Sequence, residues 1–309
     1  MKDNKILATA VAAIFGASVA TADISLSDNL TLSGFVDASY SNSDDGTTNN
    51  ESIGLDQVEV DFAFSGESVS AEVHLHNLDG DTIDLEQAFA SYDLGNGVTV
   101  SGGKFLNLLG FESDEPTGRY QSSYAYSFDS AAATAGETGR RYAEGIRASF
   151  GVEDVAIAVS GYNGLFSNAA ADMDLAYDAQ VVFSGVENLT VALGYAEDDN
   201  SASIAEAVNV WASYESGQVM VAGEYNDVTD GAGNEGDSYL LLANYQINDN
   251  ASISVRYSEL EITGTTLEKF SVSPIYNFTD NLSAFVEYST GEVNGEDNDS
   301  FSIETVFTF

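Results

Sequence analysis

Residues 251–258 read Ala251-Ser252-Ile253-Ser254-Val255-Arg256-Tyr257-Ser258. Successive side chains of an extended chain point to opposite faces. Ala251, Ile253, Val255 and Tyr257 therefore share one side, and Ser252, Ser254, Arg256 and Ser258 the other. The same two-residue period recurs at Val58/Val60/Phe62/Phe64, Val69/Ala71/Val73/Leu75 and Tyr177/Ala179/Val181/Phe183. It returns at Tyr239/Leu241/Ala243/Tyr245/Ile247 and Leu282/Ala284/Val286/Tyr288. Beyond residue 22 no segment sustains a 3.6-residue period, so the pattern predicts an all-β fold.

Short polar turns separate these strands at Asp28-Asn29, Gly66-Glu67, Gly95-Asn96-Gly97, Glu153-Asp154, Glu187-Asn188, Ser216-Gly217, Asp249-Asn250 and Asp280-Asn281. Asx and Gly supply the backbone geometry of tight hairpins. The turns are nearly evenly spaced, apart from one double-length interval between Gly95 and Asp154. Each unit runs strand, polar loop, strand and turn, so eight units give sixteen strands, the last ending at Phe309. The loops within the units are long and acidic, as in 41–56, 197–206, 226–237 and 289–300. Short turns at one end and long loops at the other predict a transmembrane antiparallel β-barrel, with short periplasmic turns and long extracellular loops. A soluble sandwich fills its interior with large side chains from both sheets. Here the second face is small or polar almost throughout, which suits a wet interior, and sixteen strands enclose an aqueous channel.

Composition narrows the function classes. The chain has 309 residues, 44% hydrophobic, with 9 Lys and Arg against 50 Asp and Glu for a net charge of -41. That charge opposes a compact soluble domain through self-repulsion, and it repels polyanions, which excludes nucleic acid as a partner. The 16 Tyr and 17 Phe carry more apolar matter than disordered chains do. Without Cys there is no disulfide scaffold, thiolate zinc site or thiol catalysis. Lys2 and Lys5, the apolar run 6–17 and Ala20-Thr21-Ala22 predict a secretory signal peptide over 1–22, cut after Ala22, with 23–309 as the barrel. The apolar run is too short for a spanning helix.

The sequence Phe301-Ser-Ile303-Glu-Thr305-Val-Phe307-Thr-Phe309 alternates and closes on an aromatic residue. It resembles the terminal strand of Gram-negative outer-membrane proteins. That resemblance implies that Phe307 and Phe309 form the signal read by the barrel-assembly machinery; the alternative is an ordinary closing strand. Leu32-Ser-Gly-Phe-Val-Asp-Ala-Ser-Tyr40, Glu86-Gln-Ala-Phe89, Gly103-Lys-Phe105 and Leu109-Gly-Phe-Glu112 resemble the OmpL-like β-barrel porins, as do Glu137-Thr-Gly139 and Gly161-Tyr-Asn-Gly164. The likeness covers the first half of the chain, and the second half matches only in its hairpin period. It implies an outer-membrane porin for passive diffusion of ions and small hydrophilic solutes. It also implies a homotrimer among lipid and lipopolysaccharide, and a long third loop folded into the lumen.

The double-length third unit carries the candidate site. Its loop, 106–138, holds Glu112, Asp114, Glu115, Pro116, Arg119, Tyr120, Tyr124, Tyr126 and Phe128. A loop of this length is usually functional; in a barrel it caps the mouth or narrows the lumen. Cations concentrate nearby, at Lys104, Arg119, Arg140, Arg141 and Arg147. Parity sets Arg141 and Arg147 with Ala143, Gly145 and Ser149, opposite Tyr142, Ile146, Ala148 and Phe150, with Glu144 an exception near the rim. A charge facing lipid at the midplane costs about 2–4 kcal/mol, so these arginines are expected inside. The expected constriction is Arg141, Arg147, Arg119 and Lys104 against Glu112, Asp114 and Glu115, whose transverse field would sort solutes by charge. The alternative is plain neutralisation within ion pairs. Lys104 joins the constriction only if Gly102-Gly103 forms a bulge that turns it inward.

His74, His76 and Glu72 share the polar face of one strand, and Arg256 that of another. Two imidazoles and one carboxylate are sparse for a metal site and read as solvated lumen groups. Glu296-Asp297-Asn298-Asp299 lacks EF-hand spacing and reads as a solvated loop face, at most bridged to lipopolysaccharide by Ca²⁺ or Mg²⁺. No cofactor is expected. No nucleophile elbow, phosphate loop or zinc motif is present, so no enzyme is expected. A barrel lipase needs a Ser–His pair facing lipid, whereas both histidines fall on the lumen face. The acidic mouth predicts a preference for cations. The alternative is a structural barrel or adhesin acting through its acidic external loops. Tyr40, Tyr92, Tyr195, Tyr214, Tyr288 and Phe309 fit interfacial girdles or ordinary cross-strand packing. Trp211 shares a face with Asn209 and Ser213 and points inward.

Overall fold

The computed structural model describes residues 23–44, 46–78, 82–126, 141–167, 175–262, 264–293 and 295–309. The expected signal peptide lies outside them. A short strand β1 (Ile24–Ser27) precedes β2 (Leu30–Asp44), β3 (Asn49–Ser65), β4 (Val69–Leu78), β5 (Asp84–Gly95), β6 (Val98–Leu106), β7 (Tyr142–Val152), β8 (Val155–Tyr162) and β9 (Ala176–Val186). Then come β10 (Leu189–Glu197), β11 (Glu206–Ser216), β12 (Val219–Thr229), β13 (Glu235–Asn248), β14 (Ala251–Ile262), β15 (Thr265–Thr279), β16 (Leu282–Val293) and β17 (Glu296–Thr308). Each of β2–β17 pairs antiparallel with its neighbour in the chain, and β17 returns to pair with β2 from Thr308↔Phe35 to Asp299↔Asp44. The sixteen strands thus close a ring, as the turn count predicts, and a closed ring exposes no sheet edge.

Local chemistry fixes the corners of this ring. Asn96, Asn188 and Gly217 take left-handed φ values of 57°, 67° and 61° at their turns, a conformation that Asx and Gly tolerate. At the closing seam the backbones of Gly34 and Phe309 exchange hydrogen bonds of 2.9 and 3.0 Å. A Cβ at Gly34 would stand 2.2 Å from the Glu59 carbonyl oxygen, so only glycine permits that approach.

The two faces separate as the alternation requires. On β13, Leu241 is 60% exposed between the buried Leu240 and Leu242. On β14, Ser254, Arg256 and Ser258 are buried inside. Two rows of outward aromatics band the barrel. Phe64, Tyr92, Phe150, Phe183, Tyr214, Tyr245 and Phe307 follow the turn end. The pairs Tyr40–Phe301, Tyr177–Tyr195 and Tyr239–Tyr257, with ring centroids 5.9–6.5 Å apart, follow the loop end. Among the latter, the Tyr239 and Tyr257 hydroxyls donate to Glu259 at 2.6 and 2.8 Å. An apolar band between aromatic rows suits a hydrocarbon layer with water on both sides. Trp211 is buried and points inward, as its parity predicts.

The inner face departs from the expected polar surface. Along β8–β13 it carries Ala156, Ala158, Val182, Ala192, Trp211, Met220, Ala222, Leu240 and Leu242, all buried. These residues can be apolar because the third loop covers them and keeps water off.

A charge on the outer band tests this assignment of faces. Leu241→Arg is expected to lower the stability of the barrel folded in lipid vesicles by about 2–4 kcal/mol in a denaturant titration. Wild-type stability for that variant would refute a hydrocarbon-facing Leu241.

Candidate functional site

The long third loop, described over 107–126, lies within the ring. Its root is apolar. Leu109 is fully buried and packs with Phe105, Tyr162, Leu165 and Phe166, while Leu108 and Phe111 cover Ala156, Ala158, Val182, Ala192 and Trp211. Phe111 meets Trp211 with ring centroids 5.6 Å apart. A Cβ at Gly194 would come within 2.3 Å of a Leu109 methyl, so glycine there opens the seat. Inner polar groups bind the loop backbone as it passes. Leu108 N–H donates to Asp178 at 2.8 Å, Gly110 N–H to Asn209 at 3.3 Å and Phe111 N–H to Glu224 at 3.2 Å.

The rest of the loop is held by charge-assisted bonds on the far wall. Arg256 donates to Glu112 at 2.5 Å and to the Ser123 carbonyl at 2.7 Å. Glu112 in turn accepts the Ala125 N–H at 2.8 Å. Glu287 accepts Ser122 Oγ–H and Ser123 N–H, both at 2.9 Å. Arg119 stands 3.6 Å from Glu304 and stacks over Tyr124 at 4.6 Å. Lys269 donates to the Tyr124 carbonyl and lies 4.6 Å from the centre of the Tyr126 ring. The loop therefore touches the inner face from β8 round to β17. Glu115 also accepts from Gln57 on β3 at 3.3 Å. In a ring of sixteen, β3 and β11 face each other, so the loop crosses the lumen.

One wall is acidic. His74 Nδ1 lies 3.3 Å from Glu59 and 3.4 Å from Asp61, its Nε2 lies 3.3 Å from Glu72, and His76 Nδ1 is 2.7 Å from Glu86. Asp114 and Glu115 of the loop close on Glu86. Among the described residues, no Lys or Arg forms an ion pair with Glu59, Asp61, Glu72, Glu86, Asp114 or Glu115. A β-bulge shapes this wall. His74 pairs with Gln87 and Leu75 with Leu85, so Glu86 is the extra residue, and Glu86 and Gln87 are both buried. Elsewhere Asp198, just past β10, accepts the N–H groups of Leu165, Phe166 and Ser167. Burial alone would raise its pKa, but those donors outweigh it and hold the carboxyl below the ordinary range.

The structure redistributes the expected constriction residues. Glu112, Asp114, Glu115 and Arg119 enter the lumen on the loop; His74, His76, Glu72 and Arg256 line its wall. Arg147 also points inward, but it is 4% exposed. It donates to Ser160 at 2.8 Å, Tyr162 at 3.0 Å and the Leu106 carbonyl at 2.6 Å. It is locked under the loop root instead of facing Asp114 and Glu115, because a buried guanidinium must place its donors on nearby acceptors. Arg141 donates to the Phe166 carbonyl at 2.8 Å. Lys104 is a correction. Its pairing with β5 and β7 runs without a shift through Gly102 and Gly103, so no bulge turns it inward. It keeps the outer parity, reaches the Leu85 carbonyl at 2.6 Å and stands in register opposite Glu144. Tyr142, expected outside, bends over the strand end to donate to Glu115 at 3.0 Å. Arg140 and loop positions 127–138 lie outside the described residues. The sequence reading missed Glu59 and Asp61, although each alternates with apolar neighbours, and Lys269, which stands between Glu268 and Phe270. It also missed Glu86, whose inward aim depends on the bulge.

A family model described as Gram-negative porin matches residues 8–296. No curated protein matches the sequence. Among solved structures, the anion-selective porin from Comamonas acidovorans superposes with a TM-score of 0.71 at 14% identity, covering 91% of this chain and 99% of that one. OmpF of Salmonella typhi, in complex with daunomycin, gives 0.66 at 12%, covering 93% and 100%. OmpT of Vibrio cholerae, an outer membrane protein, gives 0.66 at 12%, covering 92% and 98%. At these identities the likeness is one of fold. The finer OmpL-like resemblance rests on the short motifs quoted above.

Leu109 is the anchor whose loss should free the loop. Leu109→Ala is expected to weaken the seat by about 2–5 kcal/mol and to speed trypsin cleavage after Arg119 in the folded barrel. An unchanged cleavage rate would mean that the polar ties alone hold the loop.

Proposed function

The chain belongs to the Gram-negative porin family, and we propose that it is an outer-membrane channel for passive diffusion of small hydrophilic solutes, with a preference for cations. The loop across the lumen forms its constriction, and the long acidic loops face the exterior. Beneath the loop, a cavity of about 590 Å³ between Pro116, Thr117, Arg119 and the inner side chains Asn277, Phe285 and Thr308 supports a water path toward the turn end.

One observation carries the preference. Arg119, Arg147, Arg256 and Lys269 are all engaged by acids, hydroxyls, carbonyls or rings around them. The wall of β3–β5 and the facing loop acids hold six carboxyl groups, and among the described residues the ion-pair contacts of this cluster come from two histidines, with no Lys or Arg. A one-sign lining between low-dielectric walls concentrates counter-ions and excludes co-ions. The anion selectivity named for the Comamonas porin belongs to that protein; at 14% identity its lumen charges are not those of this chain.

The zero-current potential across a planar bilayer in a KCl gradient tests the reading. Potassium is expected to permeate ahead of chloride. The double variant Asp114→Asn, Glu115→Gln should lower the permeability ratio at least about twofold at low salt, where screening is weakest (Debye length about 10 Å at 0.1 M). Chloride preference in the unaltered protein would overturn it.

A further inference from the structure

We propose that Glu59, His76 and Glu86 form a binding site for a divalent first-row transition-metal ion, with zinc as its probe, in the barrel wall beneath the loop. One ligand atom from each residue lies within 4.8 Å of the other two. Zinc holds nitrogen and oxygen ligands at about 2.0–2.2 Å in a tetrahedron, so two ligands of one ion stand about 3.4 Å apart. His76 Nδ1 and Glu86 Oε1, 2.7 Å apart, already stand within that span, and Glu59 would complete the set by side-chain adjustment.

A second observation singles out this cluster from the many acids of the chain. Glu86 is 4% exposed, and its Oε2 has no hydrogen-bond partner. Its Oε1 lies against His76 Nδ1 at 2.7 Å. A buried carboxylate oxygen without a donor is unfavourable in a protein interior, and a cation supplies what no donor supplies. The bulge on β5 places it there, since without the extra residue the alternation of β5 could not turn both Glu86 and Gln87 inward.

The donor set indicates the class of ion. Carboxylates alone suit calcium or magnesium, whereas an imidazole among them favours zinc, copper or nickel. Around these three residues stand groups that orient and complete the site. His74 Nδ1 lies 3.3 Å from Glu59 Oε1, and Gln57 donates to Glu59 Oε2 at 3.1 Å, so both oxygens of that ligand are steered. Asp114 and Glu115 group with Glu86 within the same 4.8 Å limit and offer a further ligand from the loop. The site goes beyond the channel reading, because an ion held in the wall requires no permeation.

Calorimetric titration of the folded full chain in detergent, stripped with chelator and then given zinc chloride at neutral pH, tests the site. Saturable binding of a single ion is expected, with magnesium weaker. Loss of a ligand, in His76→Gln or Glu86→Gln, should weaken zinc at least as much as loss of a supporting contact does, about 10–100-fold. Heat-modifiable gel mobility shows whether each variant folds. Should Glu86→Gln fail to fold, His76→Gln and the imidazole-ligand spectrum of cobalt bound to the unaltered chain carry the test. No saturable heat, zinc binding undiminished in His76→Gln, or magnesium bound as tightly as zinc would each overturn the site. A proton shared between Glu59 and Glu86 would then account for the cluster. A channel that conducts but binds no zinc removes this inference alone, whereas a zinc-binding barrel that does not conduct removes only the channel reading.

Discussion

Everything in this molecule depends on the seam between β17 and β2. In hydrocarbon an unpaired backbone N–H or C=O costs several kcal/mol, about the scale of a whole protein's stability once a few accumulate. The ladder from Asp299↔Asp44 to Thr308↔Phe35, prolonged by the Gly34–Phe309 exchange, leaves none of the sixteen strands with a free edge. Once the ring is closed, the outer stripe is free to be apolar, the inner stripe to be polar, and a loop can be housed between the walls. Gly34 is small because the Glu59 carbonyl and the Phe309 ring crowd it from two sides.

Strand identity and facing were legible because they depend only on the period of two. Arg256 among Ser254 and Ser258, or Leu241 beside Leu240, could be assigned an orientation before any neighbour was known. Hairpin positions were legible for a similar reason, since Asn96, Asn188 and Gly217 sit where left-handed backbone is needed. What escaped the sequence depends on register between strands. The one-residue shifts that insert Asp56 into β3 and Glu86 into β5 break alternation without a glycine or proline at or beside the inserted residue. At Gly102-Gly103, where two glycines did announce a shift, the ladder runs through unbroken. Glycine marks permission for a distortion, and pairing decides whether one occurs.

The lumen divides between two physical regimes. Along β8–β13 small and apolar side chains meet Leu108, Leu109 and Phe111, and the contact is a dry core like that of a soluble protein. Along β14–β17 the same loop is held by Arg256, Glu112, Glu287, Arg119 and Glu304 in desolvated pairs. Such pairs give position more than net stability, because desolvation of the charges offsets much of their attraction. Alternation alone could not reveal this division: Ala158 or Leu240 on an inward face looks like an error in a wet channel until the loop is laid over it. The remaining arc, β3–β5, is where carboxyl groups and histidines gather beneath the loop acids Asp114 and Glu115, and the chemistry proposed for the barrel concentrates there.

The loop's seat also orders events during assembly. Ser122 hydrogen-bonds Ser302, 180 residues later in the chain, and Arg256 grips the loop across a separation of 144. Residues 119–126 therefore lack their polar ties until the carboxyl-terminal strands have been placed. Contacts of such sequence separation form late, after the entropy of a long closure has been met. A barrel stalled short of completion would carry this segment loose and protease-sensitive, and its docking would mark the moment at which the cylinder is finished.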